Sequence, residues 1–390
     1  MTTAAAPEGA LASFRALVRE LVAREVTPHA AAWDRAGAFP RAVLECLGDA
    51  GVISACFENV PSGRSAVPLD VARYAVLVEE LAHARCFGLS LSVALHVGVY
   101  LPLLSRLGTQ ATRERLLPPA LSGRALGAFA TTEGEVAGSD LLGLATTLEP
   151  RDGGFRLTGE KAYVSSVPGA DQVVVLARTA PGRHFANLAL VVVDAKAKGV
   201  HAERQPLQVM RAAAVGRLRF DAVELDADAL LGRRELGLAY FQDHIATERL
   251  AGAVWACAVG ERCVEEARQH CLARRLGEDT LWGNAAVRQR LGTAQVQLAL
   301  LRALVEKTVR LAQAQGRVPS LEAAELKAAV APTMETVIGT CLQLQGAAGF
   351  VDGSPLLQLL ADFRVFGVAG GSTETMLEQV ADLWSRPTPP

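Results

Sequence analysis

A chain of 390 residues is too long for one ordinary hydrophobic core and predicts two or three packed units. Half of the residues are apolar and 21% are charged, which is enough to bury a large core without lipid. The 39 basic and 41 acidic side chains leave a formal net charge of −2, which excludes the basic footprint of a nucleic-acid binder and any pull toward an anionic membrane surface.

Apolar runs stay below the ~18 consecutive residues that a membrane span needs. The opening MTTAAAPEGALASF has no basic segment ahead of an apolar one, so no secretion signal is expected. Cys46, Cys56, Cys86, Cys257, Cys263, Cys271 and Cys341 form an odd set without CxxC or other metal-ligand spacing. They read as reduced structural thiols, and a cytoplasmic location is expected.

From Leu11 to about Gly123 the chain runs in helical period, with LASFRALVRELVAREV placing apolar residues at i, i+3, i+4 and i+7. Pro28 and Pro40 punctuate this region, and Leu69–Ala84, Leu91–Leu107 and Thr109–Leu121 continue it. After Ala128 the character changes. Phe155–Ser165, Gln172–Ala177, Asn187–Val193, Val200–Gln205 and Leu218–Leu225 are short runs rich in Val, Leu, Phe and Tyr, bounded by Gly, Pro, Asp and Asn. Strands at that spacing without intervening helices predict an antiparallel barrel or sandwich. From Leu236 the helical period returns in Tyr240–Leu272, Leu281–Gln315 and Leu321–Leu344, lengths that pack as an antiparallel bundle. Gly-rich turns interrupt it at Gly346–Gly353 and Gly367–Ser372. The expected domains are therefore helical over 1–125, β over 126–235 and helical over 236–390.

Four blocks, in order, carry a resemblance to the acyl-CoA dehydrogenase family. Thr132-Glu133 followed by Ala137-Gly138-Ser139-Asp140-Leu141 resembles the family's Thr-Glu-Pro-Gly-Ala-Gly-Ser-Asp-Leu signature, with one inserted residue and no proline. Leu157-Thr158-Gly159-Glu160-Lys161 with Tyr163-Val164-Ser165 resembles the next block, where Trp-Ile-Thr is usual. Met210-Arg211 through Leu230-Leu231-Gly232 resembles the segment closing the β domain, and Gln343, Gly346, Gly349 and Phe350 resemble the Gln-x-x-Gly-Gly-x-Gly segment. The resemblance spans nearly the whole chain. It implies an α+β multidomain fold: an N-terminal helical domain, a middle antiparallel β-barrel domain and a C-terminal four-helix bundle.

It also implies FAD. An isoalloxazine ring needs donors and small hydroxyls at its N5 and carbonyl edges and a flat partner on one face. By the resemblance these come from Thr131, Thr132, Ser139, Tyr163 and Ser165, with Tyr163 in place of Trp and Ser165 in place of Thr. Outside that context, Ser and Thr at strand ends are ordinary turn and capping residues. In the family a neighbouring subunit helps hold the diphosphate and adenosine through an Arg-x-x-Phe-Gly segment, a later Gln and the Gln-Gly-Gly turn. Here Arg274-Arg275-Leu276-Gly277 is a shortened form of the first, Asn284-Ala285 stands at the second, and Gln343 and Gly346 survive beside Ala347. The guanidinium fork of Arg274 or Arg275 suits a diphosphate. Ser372 and Glu374 resemble the family's Thr-Ser-Glu turn that also meets FAD. Weaker binding in the adenosine half is expected.

Dehydrogenation of an acyl thioester needs a carboxylate to take the Cα proton as hydride leaves Cβ. Many family members carry it in a Glu-Gly-Thr turn near the C-terminus, where this chain has Gly370. Enzymes resembling isovaleryl-CoA and long-chain acyl-CoA dehydrogenases instead supply Glu from the first helix of the last domain in a Glu-Arg-Leu sequence, and Thr247-Glu248-Arg249-Leu250 stands there. Glu248 is the expected base, against the reading of a helix-surface carboxylate paired with Arg249. The Gly370 N–H is expected to serve the thioester carbonyl. His244 reads as a structural histidine, Asp243 is the runner-up carboxylate, and Asp362 and Arg364 match the family's Arg-Asp-Ala segment only in part.

Two departures leave the substrate open: Phe57–Pro68 lacks the Pro-Glu-x-x-Gly-Gly pattern, and the Thr132–Ser139 loop is one residue longer than usual. An acyl thioester on CoA or on a carrier protein fits, with an electron-transfer flavoprotein or oxygen as acceptor. A flavin monooxygenase or oxidase on the same fold, and a non-redox descendant, stay as alternatives. By resemblance the chain forms a homo-oligomer, a tetramer before a dimer.

Overall fold

A computed structural model describes residues 8–57 and 68–385, with only the backbone of Glu8. The expectation about residues 58–67 therefore lies outside the described residues. The chain forms two compact units, one running up to Glu248 and taking in Gln313–Arg317, the other comprising Arg249–Ala312 and the residues from Val318.

The first unit begins with helices α1 (Glu8–Leu21), α2 (Ala30–Ala36), α3 (Ala42–Asp49), α4 (Val52–Ala55), α5 (Val71–Ala82), α6 (Phe87–Leu95), α7 (Leu101–Leu107) and α8 (Gln110–Leu121). Caps set two of the starts. The Asp70 carboxylate accepts from the Arg73 N–H at 3.0 Å before α5, and the Thr109 hydroxyl accepts from the Thr112 N–H at 3.2 Å before α8. A π turn, His96–Tyr100, joins α6 and α7. Phe87–Leu107 is, among the described residues, the one helix long and apolar enough to cross a membrane, and 83% of its apolar window is buried inside the fold. A helix that is apolar all round suits a position surrounded by protein.

The π turn aims His96 at the β region. Its Nε2 donates to the Ala120 carbonyl at 3.0 Å and its Nδ1 accepts from the Gly127 N–H at 3.0 Å, so a neutral ring ties the end of α8 to the first strand. The Tyr100 ring lies flat against Gly127, where an added Cβ would fall 2.1 Å from it.

Eight strands follow: β1 (Gly127–Ala130), β2 (Thr147–Arg151), β3 (Gly154–Val164), β4 (Gln172–Arg178), β5 (Leu188–Asp194), β6 (Val200–Arg204), β7 (Gly216–Asp226) and β8 (Leu230–Leu231). They pair in the order β6-β7-β3-β2-β4-β5-β8, with β1 also on β4. The sheet is mixed rather than purely antiparallel: β1 runs parallel to β4, and β2 meets β4 in parallel at Thr147 and Arg178. The five strands expected from sequence are present. Strand β1 is four residues without alternation, and β2 exposes its last three, so neither carries a strand signal of its own. Strands β4 and β5 are buried along nearly their whole length and β7 alternates, as continuous and alternating apolar patterns require. Val173, Val175, Val191, Leu218 and Phe220 form the centre of this core.

Helix α9 (Gly237–Ala273) runs into the second unit, followed by a short hairpin of β9 (Arg275–Leu276) and β10 (Asp279–Thr280). Then come α10 (Ala285–Gln315), α11 (Ser320–Gln345), α12 (Leu356–Arg364) and α13 (Thr373–Trp384). Helices α9, α10 and α11 meet at Gly260, where a Cβ would stand 2.5 Å from Leu298 and 3.3 Å from the Met334 sulfur. Helices α12 and α13 pack on α11, with Trp255 against Phe363 at 4.2 Å between rings. All seven cysteines are free thiols.

Burial pulls the His96 imidazolium down to about 4, overcoming its backbone contacts at Ala120 and Gly127. Below the ordinary histidine range the unfolded chain takes up a proton that the folded chain refuses, so stability falls as pH drops from about 6.5 toward 4. The full effect is on the order of 3 kcal/mol. Urea midpoints at neutral and mildly acidic pH should diverge in the native protein, and His96→Gln should shrink that divergence.

Candidate active site

Within the first unit, of the residues expected to meet the flavin, Thr131 and Thr132 lie at the end of β1 and Tyr163 and Ser165 at the far end of β3. Thr131 and Thr132 follow β1 directly. The Lys161 ammonium, wholly withdrawn from solvent, donates to the Thr131 carbonyl and to Glu133 Oε1, each at 2.9 Å. Glu133, only 7% exposed, also accepts from the N–H groups of Ala145 at 2.6 Å and Thr146 at 2.9 Å. Burial works against the Glu133 charge, but Lys161 and these donors carry its carboxyl below the usual range. Burial draws Lys161 down to about 8 against the pull of Glu133. The Ala162 N–H donates to the Thr132 carbonyl at 2.9 Å. With its carbonyl held, Thr131 has a buried hydroxyl oxygen with no protein partner.

Two residues after Lys161, Tyr163 is 56% exposed and has φ +56°. A register shift between Lys161 and Val164 allows this. Side chains two apart on a regular strand share a face, and the bulge sends Lys161 inward and Tyr163 outward. The Tyr163 N–H is taken up by the Gln205 side chain at 3.1 Å. Ser165 is half-buried and Ser139 is exposed, next to Asp140, which Arg183 grips at 2.6 and 3.0 Å.

Glu248 is half-buried on α9, near enough to the buried Tyr74 phenol that its charge adds to burial in pushing that group up. The Tyr74 hydroxyl donates to the Ala94 carbonyl at 3.1 Å. His244 is buried and its Nδ1 donates to the Tyr240 carbonyl at 2.7 Å, a structural role. Asp243 faces Arg317 at 3.5 Å and Arg106 at 3.8 Å.

In the second unit Gly370 and Gly371 have φ of 71° and 107°, a left-handed path natural to glycine. Two cations hold this turn. Lys327, nearly fully buried on α11, donates to the carbonyls of Gly371 at 2.8 Å and of Phe366. Arg249 Nε donates to the Gly370 carbonyl at 3.1 Å. Ser372 caps α13, accepting from the Thr375 N–H at 3.2 Å, and Glu374 is exposed in its first turn. Arg274 is exposed at the turn after α9, and Gln343 and Gly346 are exposed at the end of α11. Asp362 accepts from Gln358 at 2.8 Å, and Arg364 pairs with Glu335 at 2.7 Å.

Sequence reasoning passed over Glu133, Lys161 and Lys327 as functional groups. The signal for Lys327 was available: it falls on one helical stripe with Ala323, Ala331 and Met334, all buried. Glu133 and Lys161 stood inside the matching blocks, where their pairing is a tertiary fact.

The family model of the acyl-CoA dehydrogenase N-terminal domain matches residues 10–124, that of the middle domain residues 128–223, and that of the C-terminal domain residues 235–383. A mouse mitochondrial long-chain specific acyl-CoA dehydrogenase is 30% identical over 371 residues, covering 94% of this chain and 85% of the relative. The acyl-[acyl-carrier-protein] dehydrogenase MbtN of Mycobacterium bovis is 31% identical over 379 residues, covering 95% and 94%. In fold, the crystal structure of an acyl-CoA dehydrogenase from Geobacillus kaustophilus superposes with a TM-score of 0.90 at 23% identity, covering 98% and 100%. The chain belongs to the acyl-CoA dehydrogenase family. It is a flavin oxidoreductase, and its expected cofactor is FAD. The unanswered buried hydroxyl of Thr131, whose carbonyl is held from β3 by Lys161, and the exposed Tyr163 ring two residues further along β3 fit a flavin.

Replacing Lys327 by Met removes the donor to two carbonyls and should cost about 1–3 kcal/mol. The expected result is a lower Tm with earlier proteolysis at the Phe366–Gly371 turn.

Proposed function

We propose that this protein is an α,β-dehydrogenase of an acyl thioester in which Glu248 takes the α proton. The observation that carries the reading is the residue at 370. It is a glycine in a left-handed turn whose carbonyl Arg249 holds, so the turn offers no carboxylate at that position. The Glu-Arg-Leu sequence of α9 then supplies the base. Similarity to a long-chain specific acyl-CoA dehydrogenase supports this assignment.

Bound FAD supplies the acceptor for the hydride leaving Cβ. Thr131, Thr132, Ser139 and Ser165 would offer hydroxyls to the flavin ring and Tyr163 an aromatic face. Arg274, Gln343, Gly346, Ser372 and Glu374 serve the rest of the cofactor. Glu248 receives the Cα proton, and the Gly370 N–H donates to the thioester carbonyl, where developing negative charge makes such a donor worth ~3 kcal/mol. Relatives acting on acyl-CoA and on acyl-carrier-protein support either thioester as the substrate. Electrons pass on to an electron-transfer flavoprotein or to oxygen, and a homotetramer completes the cofactor site.

Glu248→Gln should keep its flavin and lose at least ~10²-fold in turnover; unchanged turnover removes Glu248 from the mechanism. Gly370→Glu in that background should recover part of the rate if both positions reach one Cα.

Anaerobic titration of the flavin spectrum with acyl-CoA and acyl-carrier-protein thioesters chooses the carrier, since only the true substrate bleaches the visible bands. A flavin that no thioester bleaches would favour oxygen chemistry.

A further inference from the structure

The Lys161–Glu133 pair is more elaborate than the local fold requires. It sits in the β core, where an apolar pair of similar volume is generally at least as stable. Its contacts converge on one short segment: Lys161 Nζ reaches the Thr131 carbonyl and Glu133 Oε1 at 2.9 Å, and Glu133 reaches back to the Ala145 and Thr146 N–H groups at 2.6 and 2.9 Å. The segment after β1 is thereby fixed to β3 and to the entry of β2. What this anchoring leaves over is the Thr131 hydroxyl, buried and without a protein partner. A folded protein rarely keeps a buried hydroxyl unanswered, and the Lys161 hold on the Thr131 carbonyl fixes the backbone that carries it. The β3 bulge that turns Lys161 inward also turns Tyr163 outward, so the anchor and the exposed ring hang on the same strand.

We propose that Lys161 and Glu133 are positioning residues for FAD, holding Thr131 so that its hydroxyl meets the edge of the flavin ring. The proposal rests on Thr131 facing the flavin, as the functional reading above has it.

The test is a double-mutant cycle on the holoprotein, read as FAD release on dilution by flavin fluorescence and as the position of the visible flavin band, with Tm followed in parallel. Thr131→Val removes the hydroxyl while keeping the shape. Lys161→Met should weaken FAD by about tenfold, the order expected when one hydrogen bond to the cofactor is lost, and should shift the band as Thr131→Val does. The combined variant should hold FAD no more weakly than Lys161→Met alone, because the hydroxyl is already misplaced. Should Lys161→Met yield no folded protein, Glu133→Gln, which keeps an acceptor for Lys161, takes its place in the cycle.

Additive losses, with Thr131→Val retaining its full effect in the Lys161→Met background, would overturn the positioning role while leaving Thr131 at the flavin. An unchanged band and unchanged FAD release in Thr131→Val would overturn the underlying reading of Thr131 itself. A Lys161→Met protein with lower Tm but native FAD release and spectrum would reduce the pair to a structural one.

Discussion

An ammonium and a carboxylate removed from water cost several kcal/mol each unless every exposed valence is answered. At Lys161 and Glu133 the answers come from the chain segments on either side: the Thr131 carbonyl, and the backbone N–H groups of Ala145 and Thr146. Because those groups belong to β3, to the loop after β1 and to the entry of β2, satisfying the charges ties the loop after β1 to the paired strands β2 and β3. The presentation of Thr131 and Tyr163 depends on that constraint.

The second unit solves a similar problem with cations facing carbonyls. Lys327 and Arg249 hold the carbonyls of Phe366, Gly371 and Gly370, fixing a turn whose left-handed residues are glycines. A side chain at such positions would add strain. The turn is thus defined by what its backbone presents, and it carries no carboxylate at position 370.

Much of the architecture was legible along the chain. Helical period, then short β runs, then long helices appeared in that order because each element buries one face or one stripe and writes that burial into its sequence. Among the elements that escaped notice, two owe their burial to neighbours rather than to their own pattern: β1, four residues lying parallel to β4, and β2, with three exposed residues at its end. The membrane-length apolar helix 87–107 has the same lesson in reverse. Its composition alone suits lipid, while His96 and Tyr100 show it packed against the end of α8 and the start of β1.

By itself the sequence determined the order of helical and β regions, the family and the glycine at 370, since these are properties of residue identity at a position. Only the tertiary structure decided that Lys161 and Glu133 form a buried pair, that the bulge in β3 separates Lys161 from Tyr163, and that Lys327 holds a turn some forty residues away. Each of these joins groups distant in the chain, and a charged side chain reads as solvated until its partners and its exclusion from water are known.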